Sequence, residues 1–127
     1  MNKKELKRFY KENPKPMGIY QVKNLSNGKI LIGGAMDVQG KINSCKFQLE
    51  NGSHFNKELQ QDYNKAGDSN FSFEIIDILE TKDIPETDYE QELQTLLDMW
   101  IEKLQPFDDK GYNKRTPKKW FRSVWFQ

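Results

Sequence analysis

Apolar and polar positions alternate along this chain with two periods, and each period predicts an element. In KKELKRFYKE, residues 3–12, Leu6, Phe9 and Tyr10 form one helical stripe that Pro14 and Pro16 end. Met17–Lys23 and Lys29–Gly33 read as strands. Asn27-Gly28 between them signals a hairpin, because both residues tolerate positive φ. Gly33-Gly34 is read as the break that ends the second strand, and a short helix follows over 41–50 with Ile42, Cys45 and Leu49 on one side. Asn51-Gly52 marks a turn. Asn56–Ala66 has the pattern of a helix with Leu59, Tyr63 and Ala66 inward and Gly67 beyond its end. Phe71–Leu79 is a strand whose alternation is clear at Phe71, Phe73 and Ile75 and blurs at Ile75-Ile76 and Ile78-Leu79. The last helix, capped by Thr87 or Asp88 and stopped by Pro106, carries the plainest stripe: Leu93, Leu96, Leu97, Trp100, Ile101 and Leu104.

The order helix, strand, strand, helix, helix, strand, helix predicts an α+β fold, with helices around a small, mostly antiparallel three-stranded sheet. There is no internal repeat and no linker long enough to separate two domains. A chain of 127 residues fits one core. No run of 18 apolar residues and no signal-peptide pattern occurs, so a soluble cytoplasmic protein is expected, with no membrane partner. Cys45 and His54 are the single cysteine and the single histidine. They exclude an internal disulfide, a cysteine-built zinc site and a multi-histidine centre. A bound cation would need oxygen ligands, which suggests Mg²⁺ or Mn²⁺.

Charge changes the picture through its distribution. Residues 1–48 carry a net +7, residues 49–110 a net −11 and residues 111–127 a net +5, leaving +1 overall. Basic ends around an acidic middle either bind a polyanion such as DNA or partly neutralise that middle. In the tail, Lys114, Arg115, Lys118, Lys119 and Arg122 lie among Trp120, Phe121, Trp125 and Phe126. Such a mixture can clamp phosphates and stack on bases. It can equally form a protein interface, or dock on the domain with its charges in water.

Gly18-Ile19-Tyr20, the Asn27-Gly28-Lys29 turn, Leu31-Ile32-Gly33, the helix beginning at Asn56 and the Phe71–Ile75 strand occur in that order. This ordered set resembles the GIY-YIG nucleases from about Met17 to Asn113. It divides the chain into an N-terminal helical segment (1–16), a GIY-YIG domain (17–113) and a basic-aromatic extension (114–127). The resemblance implies hydrolysis of a DNA phosphodiester with one divalent metal. Two strand tyrosines, an arginine and histidines serve the water and the phosphate, a glutamate on the last helix holds the metal, and an asparagine supports the site.

On this pattern Tyr20 matches the first tyrosine, His54 a family histidine and Asn113 the terminal asparagine. Lys41 stands at the arginine position, keeping the charge without the bidentate fork. It serves a phosphate or is a solvated surface lysine. Leu31, Cys45 and Leu97 replace the second tyrosine, a histidine and the metal glutamate, and none supplies the lost group. Cys45 reads as a buried inert thiol, with redox chemistry as the alternative. His54 stabilises phosphate charge or is a surface or capping residue, and Asn113 supports the site or closes a turn. Asp98 is the neighbouring carboxylate for a metal, although one helical step rotates it by about 100°.

Losing one strong transition-state contact costs roughly 10²–10³ in rate. The leading expectation is therefore a DNA-associated GIY-YIG protein with a weak or inactive endonuclease site. The alternatives are an active Mg²⁺- or Mn²⁺-dependent DNA endonuclease with a shifted carboxylate, and an inhibitor or adaptor that uses the fold to hold a protein.

Overall fold

The structure, a computed structural model, describes residues 16–114. The helix expected at 3–12 and the extension from Arg115 onward, including Lys118 and Lys119, lie outside the described residues.

Strand β1 (Gly18–Asn24) pairs antiparallel with both β2 (Ile30–Ala35) and β3 (Phe71–Ile78), so the sheet order is β2-β1-β3. Alternation sends Tyr20 and Val22 to one face of β1 and Ile19 to the other. Each face builds its own core. Tyr20, Val22, Leu31 and Phe71 pack with Val38, Ile42, Cys45 and Leu49 of helix α1 (Val38–Asn51) and with Leu59 and Tyr63 of helix α2 (Lys57–Ala66). Ile19 and Ile32 pack with Leu93, Leu97 and Ile101 of helix α3 (Tyr89–Leu104). The result is two helices, a sheet and one helix in three layers. No helix among the described residues is long and apolar enough to cross a membrane.

The hairpin differs from the two-residue turn that Asn27-Gly28 suggests. Asn24 N donates to Lys29 O (2.9 Å) and Gly28 N to Asn24 O (2.8 Å), enclosing four residues, and only Gly28 takes positive φ (78°). Asn24 Oδ1 and Asn27 Oδ1 accept from Ser26 N and Lys29 N, so the asparagines satisfy loop donors instead of supplying left-handed backbone.

Strand β2 also does not stop at its glycines. It runs through Gly33 and Gly34 to Ala35, pairing Gly33 with Tyr20 and Gly34 with Ile19. An ideal Cβ on Gly33 would lie 2.5 Å from the Tyr20 hydroxyl oxygen and 2.6 Å from the ring carbon that bears it. The glycine is a seat for the tyrosine ring, not a strand breaker.

The blurred pattern of β3 has a local cause. The β1–β3 register shifts between Ile19 and Tyr20, with Tyr20 opposite Ile75 and Ile19 opposite Asp77. Ile76 is the extra residue of a bulge, and it joins the α3-side core while Ile75 stays on the other. The bulge brings the Asp77 carbonyl so close to Gly18 that a Cβ there would sit 2.3 Å from its oxygen. Asp77 also accepts from Trp100 Nε1 (2.9 Å), pinning α3 to the sheet.

Capping fixes the helix starts. Asp37 accepts from Gly40 N (3.1 Å), so α1 begins at Val38 instead of 41. Asn56 accepts from Leu59 N (3.0 Å) at the start of α2. Asp88 stands at the cap position of α3 but makes no side-chain cap bond.

Residues 110–113 lie along the outer edge of β2. Tyr112 N donates to Ile30 O (2.8 Å), and Asn113 both donates to Ile32 O and accepts from Ile32 N, each at 2.8 Å. Asn113 N also donates to Pro106 O (3.0 Å), closing the 106–113 loop. Its side chain satisfies the edge of a strand that would otherwise offer unpaired backbone.

Candidate active site

Five of the seven singled-out positions, Leu31 of β2 among them, meet on the sheet face that carries Tyr20. Tyr20 comes from the central strand, Lys41 and Cys45 from the first two turns of α1, and His54 from the loop before α2. Lys41 and Cys45 share a helix face because they are four residues apart.

Their environment is that of a core. Tyr20 is 3% exposed, and burial, with the Cys45 thiol beside it, raises its phenol far above the ordinary tyrosine range. The hydroxyl keeps its proton and is a poor base. Burial pushes the Cys45 thiol up to about 11, against the pull of the nearby Lys41 charge.

His54, for which the sequence left a surface position open, is 5% exposed. Its backbone N–H donates to Gln60 Oε1 (3.1 Å) and its Nδ1 accepts from Asn56 N (3.0 Å). With Nδ1 accepting, the neutral ring carries its proton on Nε2, which points at Cys45 Sγ 3.3 Å away. Burial first, and the Lys41 charge second, depress the imidazole to about 4. The histidine is therefore neutral at physiological pH and carries no countercharge for a phosphate. It holds the start of α2.

That depression predicts a pH dependence. A folded pKa of about 4 against 6.5 unfolded means that the unfolded chain binds the proton first as pH falls. The associated stability is full above about 6.5 and is lost as pH drops through 4, to a total on the order of 3 kcal/mol. Urea unfolding of the protein and of His54→Asn between pH 7.5 and 4 should show this slope in the first and not in the second. Equal slopes would refute the assignment.

Lys41 is half-buried, and burial lowers its pKa, partly offset by Cys45. Its ammonium lies 6.0 Å from the centre of the Phe55 ring. Leu31 is buried opposite Val22, where a hydroxyl would have core surroundings.

Leu97 is fully buried among Ile19, Ile32, Leu93 and Ile101, on the other face of the sheet from Tyr20. Asp98, the neighbouring carboxylate, is half-buried and accepts from Gln94 Nε2 (2.7 Å). Gln94 Oε1 is buried without a hydrogen-bond partner among the described residues. No group of three or more His, Cys, Asp or Glu side chains that could hold a metal occurs among the described residues. Where the resemblance puts the metal-holding glutamate, the buried Leu97 side chain offers no oxygen to a divalent ion.

Lys114 is exposed and lines a cleft of about 420 Å³ with Lys57, Glu58, Asp108, Tyr112 and Asn113. The cleft mixes both signs of charge. Tyr112 closes its floor: its hydroxyl donates to Asp62 Oδ2 (2.7 Å) and accepts from Asn24 Nδ2 (3.0 Å), tying hairpin, α2 and the C-terminal segment together.

Two features escaped the sequence reading. The reasons for Gly18 and Gly33 are tertiary contacts with residues far along the chain. Phe55 sits half-exposed beside His54 and Lys41, and nothing in its spacing singles it out.

This arrangement, a β2-β1-β3 antiparallel sheet with Tyr20 seated on Gly33 between α1 and α3, is that of the GIY-YIG nuclease fold, and the chain belongs to the GIY-YIG family. It is similar to the solved catalytic domain of the intron endonuclease I-TevI, with a TM-score of 0.57 and 31% identity over 79% of this chain and 99% of that one. A variant of the same domain gives a TM-score of 0.61 and 31% identity over 77% and 92% of the two chains. Among curated proteins it is 32% identical over 97 residues to intron-associated endonuclease 1 of Enterobacteria phage T4, matching 76% of this chain and 36% of that protein's length. No protein-family model matches the chain.

Proposed function

We propose that this protein binds DNA through its GIY-YIG domain and has lost efficient phosphodiester cleavage. One observation carries the reading. Leu97, where the family resemblance puts the metal-holding glutamate, is fully buried in an apolar cluster. A hard cation has no reason to leave water for a site without a carboxylate. The neutral Cys45–His54 pair beneath Tyr20 supports the same conclusion, since neither group brings charge to a transition state that gains it. What remains for nucleic acid is positive charge: Lys41 beside the site, Lys114 on the cleft, and the run of lysine and arginine beyond it in sequence.

The test is a supercoiled plasmid incubated with the protein and Mg²⁺ or Mn²⁺, alongside salt-dependent DNA binding. Binding is expected to weaken steeply with added salt as phosphate contacts are lost, and no nicking is expected above that of Tyr20→Phe. Nicking that disappears in Tyr20→Phe or with EDTA would establish a working endonuclease with a carboxylate from elsewhere. Binding absent at low salt would point to the protein-holding alternative.

A further inference from the structure

Phe55 is 52% exposed, and a lone exposed phenylalanine would say nothing. This one is built in. Its ring stacks on the buried His54 imidazole with centroids 4.6 Å apart and planes 25° from parallel. Both neighbours in sequence are tied down. His54 is held at Gln60, Asn56 and Cys45, and Asn56 caps α2 while its Nδ2 donates to Tyr112 O (2.8 Å). The ring is therefore a fixed flat surface, not a loop side chain that must be ordered on binding. The Lys41 ammonium sits 6.0 Å from its centre.

A half-exposed apolar plane with a cation 6.0 Å from its centre matches the two ends of a single nucleotide. A base stacks on the ring, and its own phosphate, one sugar away, meets the ammonium. In an intact duplex both faces of each base are covered by neighbours, so a protein ring can reach only an unpaired or extruded base.

We propose that Phe55 is a stacking platform for an unpaired nucleobase, with Lys41 taking the adjoining phosphate, so that this surface prefers single-stranded or locally opened DNA. The proposal rests on the DNA-binding reading and gives it a substrate form.

Fluorescence anisotropy with the full chain tests it, using a labelled oligothymidine, a duplex of equal length and a strand of equal length made of abasic spacers. Phe55→Ala should weaken oligothymidine binding roughly 5- to 100-fold, by a clearly larger factor than duplex binding. Phe55→Trp should retain oligothymidine binding, and Phe55→Leu, apolar but without a π face, should behave as Phe55→Ala. The wild-type protein should hold the abasic strand no better than Phe55→Ala does. Equal losses on single strand and duplex, or wild-type binding to the abasic strand as tight as to oligothymidine, would overturn the platform while leaving DNA binding intact. The comparison of oligothymidine with the abasic strand on the native protein needs no variant, so it can overturn the platform even if a variant misfolds. Absence of salt-sensitive binding to any strand would instead remove the DNA reading itself, and the platform with it.

Discussion

Leu97→Glu is expected to destabilise the domain strongly at neutral pH instead of restoring a metal ligand. Leu97 is fully buried, with Ile19 and Ile32 of the sheet and Leu93 and Ile101 of its own helix around it. A carboxylate there would have neither water nor a cationic partner among the residues of that cluster. An uncompensated buried charge costs about 3–5 kcal/mol, and a domain of this size has roughly 5–15 kcal/mol in total. The burial would raise the glutamate's folded pKa above its ordinary value of about 4.3. The defect should therefore be smallest below that pH and grow as pH rises towards the folded pKa. Urea midpoints of the variant relative to the wild-type protein, at pH 7.5 and at pH 4.5, measure both effects. A variant that stayed near wild-type stability at pH 7.5 and nicked plasmid with Mg²⁺ would show that the helix can present position 97 to a metal, and the reading of a lost site would be wrong.

The two motif glycines are expected to fail for different reasons. In Gly18→Ala the new Cβ would lie 2.3 Å from the Asp77 carbonyl oxygen, a backbone atom held by the β3 bulge. Nothing flexible stands there to yield, so the central β1–β3 pairing must open. A loss of about 3 kcal/mol or more follows, at the upper end of overpacking costs. In Gly33→Ala the Cβ would meet the Tyr20 ring at 2.5–2.7 Å. That ring is a side chain, though a buried one, and a loss of about 1–3 kcal/mol follows. A double-mutant cycle separates them. Tyr20→Val removes the ring that the Cβ of Gly33→Ala would strike, so this pair should be non-additive by about 0.5–3 kcal/mol, whereas Gly18→Ala with Tyr20→Val should show little coupling. Additivity in both pairs would refute the seat that Gly33 provides.

These glycines explain how the recognisable triplets can accompany an altered site. Gly18 makes room for a bulge and Gly33 makes room for a ring, and both needs belong to the fold. Leu31, Cys45 and Leu97 occupy positions where the fold asks only for apolar bulk, and each packs into one of the two cores. Such positions can lose their chemistry while the sheet stays intact.

Much was determined by the sequence alone. Strand and helix periods, the Asn-Gly hairpin and the α3 stripe are local patterns, and they specify an α+β fold because side-chain alternation is a property of short stretches of backbone. The triplets and their order specified the family. The replacements at Leu31, Cys45 and Leu97 were legible as lost functional groups, since the chemistry of a residue type needs no coordinates.

What only the tertiary structure decided depends on which distant segments meet. Strand β2 continues through Gly33-Gly34 because Tyr20 covers it from the next strand, and the β3 alternation breaks because a bulge must fit against Gly18. His54 is neutral because α1 and α2 close over it, and Asn113 is an edge clamp because its segment runs along Ile32. Phe55 became a candidate platform only once the fold had stacked it on the His54 ring with the Lys41 ammonium 6.0 Å from its centre. Burial and electrostatic environment are sums over contacts far apart in the chain, so no local pattern carries them.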